Sequence, residues 1–185
     1  YTELSIILDG CSGDGWAGVS NADCDTAMHL YCVNQGCFRS GFGPAEHSNG
    51  IGHVTCLSSV ALIQSDFSTL SSHHEVCASD GERRGRHCNA AISRLCRHEG
   101  YVSGYGPIEY SGEDVVVACV AAPAHHHGVN YSLLSTFHEP CDGTRDRDGP
   151  NCNAAIKRYC RSIGYASGFG PNENSGDLAV VTCLP

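Results

Sequence analysis

Four cysteines recur in register three times along the 185 residues, and no other feature restricts the fold as strongly. The sets are Cys11, Cys24, Cys32 and Cys56; Cys77, Cys88, Cys96 and Cys119; and Cys141, Cys152, Cys160 and Cys183. The second and third of each set are always separated by seven residues. Matching segments open each copy, at Tyr1 to Ser5, Phe67 to Ser71 and Tyr131 to Ser135. Each copy also carries Ser-Gly-(Phe/Tyr)-Gly-Pro-x-Glu, at Ser40 to Glu46, Ser103 to Glu109 and Ser167 to Glu173, ahead of an apolar run into the last cysteine. The chain therefore divides into cysteine-rich repeats over 1–60 (divergent), 65–122 and 129–185.

A unit of about 60 residues buries only roughly 60% of its unfolded surface and is marginal alone. Cross-links are the usual remedy. The spacings of 10 to 12, 7 and 22 to 23 residues contain no close pair of the kind zinc frameworks favour, so disulfides are expected. Thirteen cysteines leave one over, Cys37, where repeat 1 is one residue longer than its counterparts. An odd thiol in an oxidising compartment is free or paired to another chain, and a homodimer linked through Cys37 is the expectation. The compartment is read as secreted or extracellular, the chain as mature, and no apolar run approaches the ~20 residues that span a membrane. Asn130-Tyr131-Ser132 is a glycosylation sequon.

The formal charge of −9 argues against nucleic acid and anionic membranes as partners. Repeat 1 holds one basic residue, Arg39, against six acids, whereas repeats 2 and 3 hold five Lys/Arg each. Anion binding therefore falls to the latter two.

The fold class read from these patterns is small α+β, disulfide-rich, with three tandem homologous modules, each strand–helix–loop–strand. The opening segments are aromatic and apolar and read as short strands. Cys88, Ile92, Leu95 and Cys96 lie on one helical face, as do Cys152, Ile156, Tyr159 and Cys160. Asp148-Gly149-Pro150 supplies a helix start, and Gly36, Gly100 and Gly164 stand where a left-handed C′ residue is wanted. The Gly-Pro element reads as a turn, and Val115 to Cys119 and Leu178 to Cys183 as buried strands. Residues eight apart in a helix are about 12 Å apart, too far for a disulfide spanning at most about 7 Å. Cys88 therefore cannot bond Cys96, and two pairings stay open.

Several recurring side chains are candidates for binding. His74 and His138 precede the first cysteine of repeats 2 and 3; Arg83 and Arg147 coincide in the next loop, and Asn89 and Asn153 on the helix. Repeat 1 has Leu8 and Asp25 at the histidine and asparagine positions. Arg94 lies off the apolar stripe and reads as solvated, and His125-His126-His127 as a solvated linker. A sugar site needs a carboxylate or amide for hydroxyl pairs, a ring for the C–H face, and a cation when the sugar is acidic. Glu109 and Glu173, Asn89 and Asn153, Tyr101 and Tyr165 supply such a set, with His74, His138, Arg83 and Arg147 near in sequence. Tyr105 and Phe169 are further rings. Histidine beside a sugar carboxylate would strengthen binding as pH falls through about 6.5. Weak sites gain avidity when repeated.

Asp142, Asp146, Asp148 and Glu173 to Asp177 gather oxygens in repeat 3 but follow no EF-hand loop; calcium is the alternative weighed, and no cofactor is expected. No nucleophile motif appears, so no catalysis is expected.

Two motifs, Cys-Asn-Ala-Ala-Ile-x-Arg-x-Cys-Arg (Cys88 to Arg97, Cys152 to Arg161) and Ser-Gly-(Tyr/Phe)-Gly-Pro-x-Glu-x-Ser-Gly (Ser103 to Gly112, Ser167 to Gly176), resemble a cysteine-rich module of invertebrate lectins. The nearest likeness is to the egg and gonad lectins of sea hares, which bind galacturonic acid and galactose. The resemblance covers the whole chain and implies a secreted, multivalent haemagglutinin-type lectin for such glycans. Repeat 1 departs from it at Leu8, Asp25 and Leu30. The alternative of a different class is a structural egg-coat or matrix protein.

Overall fold

The computed structural model describes residues 2–9, 11, 22–48, 51–78, 86–142 and 149–185. These form α1 (Thr2–Ile7), α2 (Ala22–Asn34), β1 (Ser40–Ser48), β2 (Ile51–Leu57), β3 (Ala61–Asp66), α3 (Phe67–His73) and a 3-10 turn at Glu75–Ala78. There follow α4 (Arg86–His98), β4 (Ser103–Ser111), β5 (Asp114–Val120), β6 (His125–Asn130), α5 (Tyr131–Phe137), α6 (Pro150–Ser162), β7 (Ser167–Ser175) and β8 (Leu178–Leu184). The class is small α+β with six disulfides.

The opening segments are helices, not the strands expected of them. Phe67 and Leu70, and likewise Tyr131 and Leu134, are buried at i, i+3, so one helical face carries the apolar side chains. Asp66 caps α3, its carboxylate accepting from the Thr69 N–H at 2.6 Å. Strands do occur just upstream, in the segments between repeats. β3 pairs with β5 and β6 with β8, giving antiparallel sheets ordered β3-β5-β4 and β6-β8-β7 beside a β1-β2 hairpin. His125 to His127 thus lie in a strand rather than a solvated linker.

The helices read around the middle cysteines are present as α2, α4 and α6, and Gly36, Gly100 and Gly164 close them at φ of 80°, 88° and 98°. At the start of α6, Gly149 is the N-cap and Pro150 follows at N1; Asp148 lies outside the described residues. The Gly-Pro element is not a turn. It runs inside β1, β4 and β7, where a cis Gly-Pro peptide coincides with a register shift, as between Tyr105 and Glu109. The strand bulges there and continues.

The pairing left open by the spacing is Cys11–Cys24, Cys32–Cys56, Cys77–Cys88, Cys96–Cys119, Cys141–Cys152 and Cys160–Cys183. The first bond of each set ties the start of the longer helix to the chain before it. The second ties its end to the last strand. That second bond explains the glycine of Ser-Gly-aromatic. A Cβ on Gly104 would overlap the Cys96 Sγ and lie 2.8 Å from the Ala118 carbonyl oxygen; Gly41 and Gly168 face Cys32 and Cys160 in the same way. Gly104→Ala is therefore expected to destabilise the protein by on the order of 3 kcal/mol, through overpacking against a cross-link that cannot yield. Urea unfolding measures it, and an unchanged midpoint would refute the explanation.

Each three-stranded sheet has two packed faces. Val115 and Val117 of β5 lie on the face covered by α3 and α4, with Phe67, Leu70, Ile92 and Leu95. The equivalent core of the last sheet gathers Tyr131, Leu134, Ile156, Ala179 and Val181. The opposite faces meet at the centre of the molecule. Phe42, Tyr105 and Phe169 stack there with ring centroids 5.1 to 5.4 Å apart, surrounded by Val60, Ile108, Val120, Ala124 and Leu184. Beyond this centre each of β1, β4 and β7 packs on a helix from another repeat: β1 on α6, β4 on α2 and β7 on α4.

Candidate functional site

The recurring glutamate stands on the outer part of those strands, so it reaches a neighbouring helix rather than its own repeat. Glu173 of β7 accepts a hydrogen bond from Arg94 Nε of α4 at 3.0 Å. Arg94 Nη1 donates to the His73 carbonyl oxygen at 3.0 Å, which fixes the guanidinium against the end of α3. Arg158 of α6 copies this geometry toward Glu46 of β1 at 3.5 Å, with Nη1 donating to the Phe137 carbonyl oxygen at 2.9 Å. Lys157 adds a contact to Glu46 at 3.8 Å. The remaining glutamate, Glu109 of β4, faces His29 Nε2 of α2 at 3.7 Å, where the arginine position is Leu30. Two seams therefore pair a carboxylate with a guanidinium; the third pairs it with an imidazole.

Electrostatics follow from these neighbours. The hydrogen bond from Arg94 holds the Glu173 carboxyl below the usual range; burial opposes this, and the charges of Arg94, Arg97 and His126 reinforce it. Burial pushes Glu46 upward, but the Arg158 hydrogen bond and the charges of Lys157, Arg158 and His53 outweigh it, leaving this carboxyl lowered too. His29 is buried, its Nδ1 sharing a 2.9 Å hydrogen bond with the Ser40 hydroxyl. Burial lowers its pKa, and the Glu109 charge offsets that only in part.

The candidate residues are distributed unevenly. His74 ends α3, donating its backbone N–H to the Leu70 carbonyl oxygen, and its Nε2 lies 3.4 Å from His87 Nδ1. Its pKa is lowered by burial first, then by His87 and Arg94, while Glu173 opposes. Residues from repeats 2 and 3 thus meet at one seam: His74, Arg94 and Glu173. His138 occupies the matching end of α5 with the same backbone angles. Asn89 and Asn153 are half-buried on α4 and α6. Tyr101 and Tyr165 are also half-buried, packed on the cores of their own sheets, and Tyr165 meets His125 and His127 edge-on. Arg83 and Arg147 lie outside the described residues.

Tyr105 and Phe169 require a correction. At 8% and 6% exposure their rings are committed to the central cluster and offer no face to a sugar. Arg94 requires the opposite one. It is off the apolar stripe as read, yet it is engaged by a glutamate 79 residues away, and no helical pattern carries that information. The only signal available was its recurrence as Arg158 together with the recurrence of Glu46 and Glu173.

Sequence reasoning also passed over the outer end of the β3-β5-β4 sheet. A cleft of about 370 Å³ there is lined by Gln64, Ser65, Glu109, Tyr110, Ser111, Asp114, Val115 and Val116. A second, of about 510 Å³, lies between α1 and β2 beside Tyr31 and His53. Cys37 is exposed and is the one cysteine without a disulfide. No described helix is long and apolar enough to cross a membrane, and among the described residues no group of three or more His, Cys, Asp or Glu is arranged to hold a metal ion.

No protein-family model, curated protein or solved structure matches the chain.

Proposed function

We propose that the chain is a secreted, multivalent carbohydrate-binding protein without catalytic activity, built from three tandem homologous modules and directed at acidic or galactose-type glycans. The reading rests on the resemblance to sea hare egg and gonad lectins, with galacturonic acid and galactose as the first ligands to test. One observation carries it. Two seams repeat the same surface chemistry, a part-exposed arginine beside a glutamate, one of them with His74 close by and the other with Lys157. Arg94 is 41% and Arg158 42% exposed, so each keeps donors that a sugar carboxylate can reach. The glutamates supply acceptors for ring hydroxyls. Two weak sites on a rigid body gain avidity on a repeated glycan.

Agglutination inhibited by galacturonic acid, and glycan-array binding, test the reading directly. Replacing both arginines, Arg94→Ala with Arg158→Ala, is expected to weaken galacturonate binding at least tenfold, about what loss of one charge-assisted contact removes. Silence toward acidic and neutral sugars alike would favour the matrix-protein reading instead. Acidification has a definite sign. His74 protonates below its ordinary range, so any gain in uronate affinity from its charge develops below about pH 6.5. A flat profile from about pH 5 to 8 removes His74 from the site.

The exposed Cys37 supports a disulfide-linked homodimer, and Asn130, exposed at the end of β6, supports glycosylation in a secretory compartment. Non-reducing electrophoresis is expected to show twice the 19.6 kDa chain mass plus any glycan, collapsing to monomer on reduction and in Cys37→Ser. Monomer migration without reductant would exclude the dimer.

A further inference from the structure

At its outer end, the side of the β3-β5-β4 sheet that faces the molecular centre differs chemically from both seams. Cross-strand partners share a face of an antiparallel sheet. One rung on this face is Gln64, Val116 and Glu109; the next but one is Asp66, Asp114 and Ser111. Tyr110 and Val115 alternate to the other face and contribute only to the rim. The cleft is thus floored by Val116 and ringed by an amide, a hydroxyl and two carboxylates, with Gln64, Glu109, Ser111 and Asp114 all exposed. Asp66 turns its carboxylate to the N-terminus of α3 instead.

Among the described residues no lysine or arginine lines this cleft. Glu109 faces His29, which burial holds toward its neutral form. Neither Glu109 nor Asp114 has a lysine or arginine partner among the described residues, so the cleft presents carboxylates that would repel a uronate.

The β6-β8-β7 sheet provides an internal control. Its corresponding rungs are Gly128, Val180 and Glu173, then Asn130, Leu178 and Ser175. Glu173 there is claimed by Arg94, and the places of Gln64 and Asp114 are taken by Gly128 and Leu178. The same backbone thus stands with and without the polar ring, so the fold does not require Gln64 or Asp114.

We propose that this cleft is a separate binding site for an amino sugar, its protonated amine held between Glu109 and Asp114 and its hydroxyls by Gln64 and Ser111. The proposal rests on the carbohydrate reading above but uses none of the seam arginines. The part of the half-buried Val116 side chain that is not packed on the central cluster offers the apolar patch on which a pyranose C–H face settles. An ammonium group donates three hydrogen bonds and accepts none, matching a rim rich in acceptors.

Calorimetric titration of the full chain with D-galactosamine, N-acetylgalactosamine and galacturonic acid separates the sites. Galactosamine is expected to bind at least about tenfold tighter than its N-acetyl form, since acetylation removes the charge. Asp114→Leu, which copies Leu178, and Gln64→Gly, which copies Gly128, are expected to weaken galactosamine by a similar factor while leaving galacturonate unchanged. Arg94→Ala is expected to do the reverse. Unaltered circular dichroism and urea midpoints establish that the variants fold. Galactosamine binding that is absent, or that survives Asp114→Leu, overturns the proposal. So does calcium ion bound at this cleft in preference to the amine. If galacturonate still binds in any of those cases, the seam reading stands without it.

Discussion

Replacing Cys96 and Cys119 together by alanine is expected to cost about 2–5 kcal/mol, enough to leave much of the protein unfolded at 37 °C. The bond closes 23 residues of sequence and joins the end of α4 to β5 beneath Gly104. Three effects coincide. The unfolded chain regains the freedom of that loop, the core of Phe67, Ile92 and Val117 loses its sulfur bridge, and a cavity opens under β4. The Cys77–Cys88 bond spans 11 residues, so its removal is expected to cost roughly 0.6 kcal/mol less on loop length alone. Urea unfolding followed by circular dichroism ranks the two double variants. Equal and unshifted midpoints would mean that the sheets stand without their staples, and the account of a unit too small to hold itself would fail.

Phe169→Ala tests a different link, between repeats. The side chain is nearly fully buried and touches Phe42 from repeat 1 and Tyr105 from repeat 2, so its truncation is expected to cost ~3–5 kcal/mol. Rings 5 to 6 Å apart also lose their edge-on contacts, which add to the area term. Because one side chain borders strands from all three repeats, the wild-type chain is expected to unfold in a single transition and the variant in a single earlier one. An early transition confined to residues 129–185 would show instead that the repeats stand separately and that the shared centre contributes little.

The two predictions separate what was legible in the sequence from what was not. The long helices were legible because Cys88, Ile92, Leu95 and Cys96 repeat at helical spacing, and that spacing also excluded the Cys88–Cys96 bond. Val115 to Cys119 was legible as a buried strand because its run is short and apolar. The opening helices were not. Seven residues carry too little periodicity to tell a helix from a strand, and the aromatic, β-branched composition pointed the wrong way. The Gly-Pro element misled for a related reason: both residues mark turns locally, but here the strand partners on either side, Tyr105 with Ala118 and Glu109 with Val116, hold the chain extended. Tyr105 and Phe169 looked like sugar platforms because an aromatic in a glycine-rich segment has no evident core to join. The core it joins is made by other repeats.

The candidate site shows the same division more sharply. His74, Glu109 and Glu173 recur between repeats, and recurrence is visible in one sequence. Which residue each one meets is not, since Arg94 and Glu173 are 79 residues apart and belong to different repeats. Gln64 and Asp114 do not recur at all, so a search for shared residues passed over them.

By itself the sequence determined the chemistry within each repeat: sulfur cross-links in register, a helix of fixed phase, and a final apolar strand. These are short-range constraints, set by bond lengths and helical pitch, and they read out directly from spacing. Only the tertiary structure decided which face of each sheet meets which helix, and hence that a glutamate is answered by arginine at two seams and by histidine at the third. Burial and charge pairing depend on distances through space, and the order of residues along the chain does not contain them.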